Sequence, residues 1–363
     1  MQTEQARAME SLARGLAFLA QAQGKDGGWH SAVYGQLKGG AGLTALILQA
    51  ASLASPELLS FWKVPFARGF RFLEPGLAKK GTVASPDGSL DYPTYGAALW
   101  LLASRDRADQ SAQRLAVVNY LLGAQCVEGR GFNSTSPSYG GWDLFGQADA
   151  QGVTTGTNIS VTCHVLEALA GELSAQETKN DSANPLLAKL KRSLSLAGKW
   201  VASCQQPDSG FAFTPEPLSL NNKAAYREDA PQTPRSYGTA TADGVRALMA
   251  LGVKPADERF RSAVLWLVER RSLEITPGFE DLPPQLGWQR GLRFYYYRSL
   301  VAALPYFPNP AAADRRQSLY KLLLAEQRPN GSWQNESDRM RENDPLIATA
   351  LAIAALALAT GSP

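Results

Sequence analysis

Two kinds of helical segment alternate along the chain. One kind carries a single apolar stripe and most of the Lys and Arg; the other is apolar on nearly every side. The second kind is predicted at residues 42–53, 95–103, 160–171, 239–252, 292–304 and 344–359. A helix apolar all round has to be enclosed by protein, whereas an amphipathic one turns its polar side to solvent. Six of each, in alternation, predict an all-α fold with an inner and an outer layer of helices. An open stack of such pairs needs polar units at its ends, and the segment 344–359 is too apolar to serve as one. Packing it against the first unit closes the stack into a double ring.

The helix pairs are joined by a recurring pattern, the mark of a repeat architecture. Arg14-Gly15-x-x-Phe18-Leu19-x-x-x-Gln23-x-x-x-Gly27-x-Trp29 returns near the end of the chain as Leu322-Leu323-x-x-x-Gln327-x-x-x-Gly331-x-Trp333. Eroded copies lie between. Tyr120-Leu121-x-x-x-Gln125 leads to Gly131-Phe132, and Trp200-Val201-x-x-x-Gln205 leads to Gly210-Phe211. Arg68-Gly69-x-x-Phe72-Leu73 keeps the front half, and Trp266-Leu267-x-x-x-Arg271 replaces the Gln with Arg. These six units predict one domain over residues 1–363, with long rim loops at 133–158 and 214–237. Asp344-Pro345 supplies an N-cap and a proline at the first helical position. Pro207–Gly210 and Pro329–Gly331 are turn chemistry.

Composition narrows the function classes. Of 363 residues, 45% are hydrophobic and 19% charged, enough for a large core. A formal charge of +3 supports neither a nucleic-acid footprint nor a polybasic membrane anchor. The apolar run ending at Ala359 is shorter than the ~17–25 residues of a membrane-spanning helix, so no transmembrane segment is expected, and peripheral membrane contact stays open. The N-terminus lacks signal-peptide regions, which predicts a cytoplasmic chain, or an exported one from which a leader has been removed. Cys126, Cys163 and Cys204 are odd in number and far apart, as expected of reduced packing thiols.

The repeated Gln-x-x-x-Gly-x-Trp unit resembles the QW motif of squalene-hopene and oxidosqualene cyclases. Over residues 10–360 the chain resembles the prenyltransferase and squalene-oxidase repeat proteins, a superfamily that also includes the protein prenyltransferase β subunits. The resemblance implies an α/α toroid. It also implies a structural role for Gln23, Trp29, Gln125, Gln205, Gln327 and Trp333, with the Gln amide tying the end of an outer helix to neighbouring backbone.

The catalytic clusters of that superfamily are missing. There is no Asp-x-Asp-Asp, in which neighbouring groups keep one carboxyl protonated and strongly acidic. There is no Asp-Asp-x-x-Asp for magnesium and diphosphate. Asp243-Gly244-Val245 resembles the start of the prenyltransferase zinc site, with Val245 in place of the thiolate, and His164 falls on an earlier helix. No metal or cofactor is expected. Asp243 reads either as a carboxylate steadying the N-terminal end of its helix or as a desolvated acid, in which case Tyr237 is its nearest candidate partner in sequence. His30 reads as a loop residue and His164 as a core residue.

Aromatic residues supply the candidate ligand wall. Tyr295, Tyr296 and Tyr297 cannot all face inward at 100° per residue, but one or two of them can. Trp288, just before them, belongs to the same cluster, and Tyr92, Tyr95, Tyr139, Trp142 and Tyr237 fall in loops or helix starts on one predicted rim. The cavity is therefore assigned Tyr95, Trp142, Tyr237, Trp288, Tyr295 and Tyr296. Three functions fit: a cyclase-like ring binding an apolar isoprenoid-type molecule, a non-catalytic scaffold for protein or peptide, and a cyclase or transferase that uses Asp243.

Overall fold

The computed structural model describes residues 4–85, 91–146, 156–178, 184–215, 223–224, 226–227 and 230–361. Both predicted long loops lie partly outside these residues. The structure is helical, with one short strand pair, β1 (Tyr226–Arg227) and β2 (Ala230–Pro234), within the second of those loops.

Six apolar helices form the inner ring: α2 (Ala41–Ser52), α5 (Pro93–Ala103), α7 (Ile159–Glu177), α9 (Gly238–Ala250), α11 (Arg293–Ala303) and α13 (Pro345–Thr360). Each packs on the next, and α13 returns to α2. The outer helices are α1 (Glu4–Gln21), α4 (Lys63–Lys80), α6 (Ser111–Ala124), α8 (Pro185–Cys204), α10 (Glu258–Glu269) and α12 (Asn309–Glu326), with the short α3 (Pro56–Phe61) before α4. Among the outer helices α1 meets α12, α4 meets α6 and α6 meets α8. Alanines at the inner contacts, such as Ala45, Ala97, Ala240 and Ala350, let the helices approach closely. In α13 the side chains of Leu346, Ile347, Leu351, Ile353 and Leu356 are all buried, a gross gain on the order of 10 kcal/mol. That gain exists only because α1, α2, α11 and α12 cover this helix.

The repeat has a common hydrogen-bond plan. The side-chain Nε2 of Gln23 donates to Gly27 O at 2.8 Å and to Pro65 O, at the start of α4, at 2.9 Å. Gln205 does the same to Ser209 O at 3.1 Å and Arg259 O, on α10, at 2.9 Å. Gln327 does so to Gly331 O at 2.9 Å and Ser11 O, on α1, at 2.8 Å. Each glutamine fastens its own turn to the next outer helix, and Gln327 joins the last to the first. A second element of the plan is a threonine in each following inner helix. Thr44, Thr162, Thr241 and Thr349 accept, through Oγ1, the backbone N–H of Trp29, Trp142, Phe211 and Trp333 at 2.9–3.1 Å.

Two expectations are corrected here. The third turn is Gly140-Gly141-Trp142, not Gly131-Phe132: Gln125 Nε2 donates to Gly140 O at 2.8 Å and to Ser193 O, on α8, at 3.0 Å. An insertion containing the 3-10 turn Glu128–Arg130 separates this glutamine from its turn. Helix α7 runs on to Glu177, since the backbone at Gly171 remains helical and its open side is filled by the Arg105 side chain.

Candidate functional site

The first turns of all six inner helices enclose a cavity of about 340 Å³ at one mouth of the ring, so these helices run parallel with their N-termini around it. Its wall takes Leu43 and Leu46 from α2, Tyr95 from α5, Val161 from α7, Tyr295 from α11 and Leu351 from α13. Local sequence fixes the helix starts. Pro93 opens α5. Asn158 caps α7 by accepting from Val161 N at 3.0 Å, and Asp344 caps α13 by accepting from Leu346 N at 2.9 Å. The polar part of the lining consists of Lys223, Arg339 and Arg341 beside Tyr92, together with the buried Glu342. The Lys223 ammonium lies 3.6 Å from the centre of the Phe213 ring, a cation–π contact.

Beneath the cavity a buried polar group plugs the ring. Asp243 is fully buried. Its Oδ1 accepts from Arg246 Nη1 at 2.6 Å and Ser299 Oγ at 2.7 Å, and its Oδ2 accepts from the Tyr295 hydroxyl at 3.0 Å. Arg246 in turn makes a bidentate pair with Glu167, from Nε at 2.9 Å and Nη2 at 2.7 Å. His164 lies against Tyr95, with ring centres 4.9 Å apart. Its Nδ1 lies 2.7 Å from Ser160 O, while Nε2 is buried with no partner among the described residues. Burial, reinforced by Arg298 and Arg246, holds its pKa well below the usual histidine value. The imidazole is therefore neutral at pH 7 and presents Nε2 as an acceptor.

Asp243 is not a helix cap: among the described residues its hydrogen-bond partners are side chains on its own helix and on α11, not the backbone N–H groups of its first turn. Among the described residues Tyr237 makes no hydrogen bond to Asp243; its ring stacks on Phe279 at 5.0 Å, and the carboxylate acts on its hydroxyl through charge, adding to the burial that raises its pKa. The cavity brings together Tyr95, Tyr237 and Tyr295. Three other assigned residues lie elsewhere. Trp142 is the buried aromatic of the third turn, donating from Nε1 to Leu121 O at 2.7 Å. Tyr296, one residue and 100° beyond Tyr295, packs over Gly238. Trp288 lies beside the Arg339 guanidinium at 5.8 Å, with Arg339 rather than the indole on the cavity wall. Tyr139 donates to Glu128 at 2.5 Å on the exposed surface. His30, in its loop, contacts Asp26 at 3.0 Å.

Sequence reasoning missed Glu342. This residue is fully buried, lines the cavity, and accepts from the backbone N–H groups of Phe294 at 3.0 Å and Tyr295 at 2.9 Å. Asn335 Nδ2 adds a third hydrogen bond at 2.8 Å. Burial pushes its carboxyl up to about 7, against the opposing effect of those hydrogen bonds. Its signal in sequence was faint: one glutamate in a loop of mixed charge. Among the described residues, no three His, Cys, Asp or Glu side chains converge to hold a metal ion, and no helix is long and apolar enough to cross a membrane.

In its fold the chain is like the type II terpene cyclases. MstE from Scytonema, in a variant complexed with geranylgeranyl dihydroxybenzoate, matches with a TM-score of 0.64 over 98% of both chains at 14% identity. Apo MstE matches at 0.62 over the same shares, with 15% identity. A glycosidase also matches, at 0.56 over 98% of this chain and 96% of its own, with 12% identity. No protein-family model and no curated sequence matches the chain.

Proposed function

We propose that the ring binds an apolar, isoprenoid-type molecule in the cavity at its N-terminal mouth. The carrying observation is the division of that cavity. Its wall is mostly aliphatic and aromatic, with Leu43, Leu46, Tyr95, Phe213 and Tyr237, while Lys223, Arg339, Arg341 and Glu342 supply the polar part of the lining. Such a site suits a long apolar body with one polar end. The geranylgeranyl dihydroxybenzoate bound by the MstE variant has such a division. We also read the four Gln-aromatic turns as repeats of the QW type and residues 1–363 as one domain. The shared pattern of glutamine and threonine hydrogen bonds supports both.

A catalytic reading rests on Glu342, the carboxyl on the cavity wall, whose raised pKa keeps a proton available near neutral pH. Asp243 is placed less well for donation, because it is ion-paired with Arg246 and does not line the cavity, whereas Glu342 does.

The test is mass spectrometry of lipids retained by the purified protein, followed by incubation with geranylgeraniol. Retention of an apolar lipid, lost when Leu43→Trp fills the cavity, is expected, with geranylgeraniol recovered unchanged. Equal retention by wild type and Leu43→Trp would remove the binding reading. A cyclised product made by wild type and not by Glu342→Gln would replace it with a cyclase.

A further inference from the structure

The opposite mouth of the ring holds a second cavity, of about 370 Å³, among the later turns of the inner helices. Leu53, Leu102, Met249 and Leu358 form its apolar side, and Arg298, Arg105 and the Arg246–Glu167 pair also line it. Arg298 is 4% exposed, and its Nη1 is buried with no acceptor among the described residues. A buried guanidinium N–H without an acceptor is costly, because the water it gave up is not replaced.

The nearby carboxylates do not meet this need. Asp243 and Glu167 are both hydrogen-bonded to Arg246. Formally these two carboxylates face two guanidiniums, and Arg105, exposed at the end of α5, adds a third. Helix C-termini attract cations, which explains why arginines gather here. It does not supply an acceptor for Nη1 of Arg298.

We propose that this mouth binds an organic monocarboxylate. Its head meets the Arg298 and Arg105 guanidiniums, and a short apolar tail lies along Leu53, Leu102, Met249 and Leu358. A planar carboxylate fits the guanidinium fork, and the apolar side of the cavity gives the tail a place out of water. The site is separate from the isoprenoid cavity, with the Asp243–Arg246–Glu167 plug between them, and does not rest on that reading.

Calorimetric titration with sodium octanoate tests it, with acetate, octan-1-ol and inorganic phosphate titrated alongside. Octanoate is expected to bind, with acetate and octan-1-ol each weaker by roughly tenfold or more. Arg298→Met and Arg105→Met should each weaken octanoate by about the same factor. Arg298→Lys keeps the charge should the methionine variant fail to fold, and Arg105 is an exposed position where replacement leaves the core intact. Neither arginine lines the first cavity, so loss in these variants locates the ligand. Absence of octanoate binding, octan-1-ol bound as tightly as octanoate, phosphate bound in preference to octanoate, or unchanged affinity in Arg105→Met would each overturn the proposal.

Discussion

The chemistry of single residues here is set by neighbours distant in the chain. Asp243 looked like a helix-end carboxylate because its own helix supplies only Arg246; Tyr295 and Ser299 come from α11, and Glu167 pairs with the same arginine from α7. No spacing rule connects those positions. Removing one partner from a buried ion pair is expensive because the other charge stays behind. Asp243→Asn is therefore expected to cost about 3 kcal/mol, read as a shift in the urea midpoint. A cost below about 1 kcal/mol would return it to a minor helix-end role. Glu342 makes a different prediction. Its folded pKa, about 7, lies above the ordinary 4.5. Between those values the folded chain keeps a proton that the unfolded chain releases, so stability falls as pH rises through this window and levels off above it. The difference is on the order of 3 kcal/mol. Urea titrations at pH 5 and pH 7.5 should show that fall in wild type and a smaller one in Glu342→Gln. Equal falls in both would assign it to other groups.

At the scale of elements the sequence was far more legible. The six inner helices begin and end within a few residues of the apolar runs that predicted them, apart from the longer α7, because Gly, Pro and capping residues punctuate them. The turns were legible where the spacing from Gln to the aromatic was intact, as at Trp29, Phe211 and Trp333, and misread where an insertion broke it, at Gln125. The threonine that receives each aromatic backbone N–H went unnoticed, since it follows the aromatic at variable distance. One turn departs from its siblings. Gly27 and Gly331 have φ of +94° and +87°, and the corresponding residue of the fourth turn is Ser209, at +72°. A non-glycine residue in this region costs about 1 kcal/mol. Ser209→Gly should therefore raise stability by roughly 0.5–1 kcal/mol, less the flexibility glycine adds to the unfolded chain. Thermal unfolding measures it, and a lowered midpoint would show that the serine side chain contributes more than its conformation costs.

The whole molecule depends on a seam. Gln327 Nε2 donates to Ser11 O, and its Oε1 accepts from Ser11 Oγ at 2.8 Å and from Arg14 Nη2. Nearby, the backbone at Gly331 lies so close to Arg14 O that an added Cβ would come within 2.5 Å of it. Closure was legible from the apolar last helix, which had to be covered by something; the two cavities were not, because they depend on which faces the closed ring leaves unfilled. Gln327→Ala is expected to cost about 2–3 kcal/mol by stranding its part-buried partners. Amide exchange should quicken in α1 before it does in α6, and uniform quickening across the ring would mean that the seam is no weaker than other joints.

A closed ring has no structural first unit. The Tyr320 hydroxyl donates to Ala359 O at 2.6 Å and is also close enough to Glu4 for its pKa to feel that carboxylate, so the two ends of the described chain lie near one another. Peptide order is then a historical label on the architecture. Joining those ends with a short linker and opening the chain in the loop between α9 and α10 would leave each helix with its present neighbours, and both mouths would keep their linings under a new numbering.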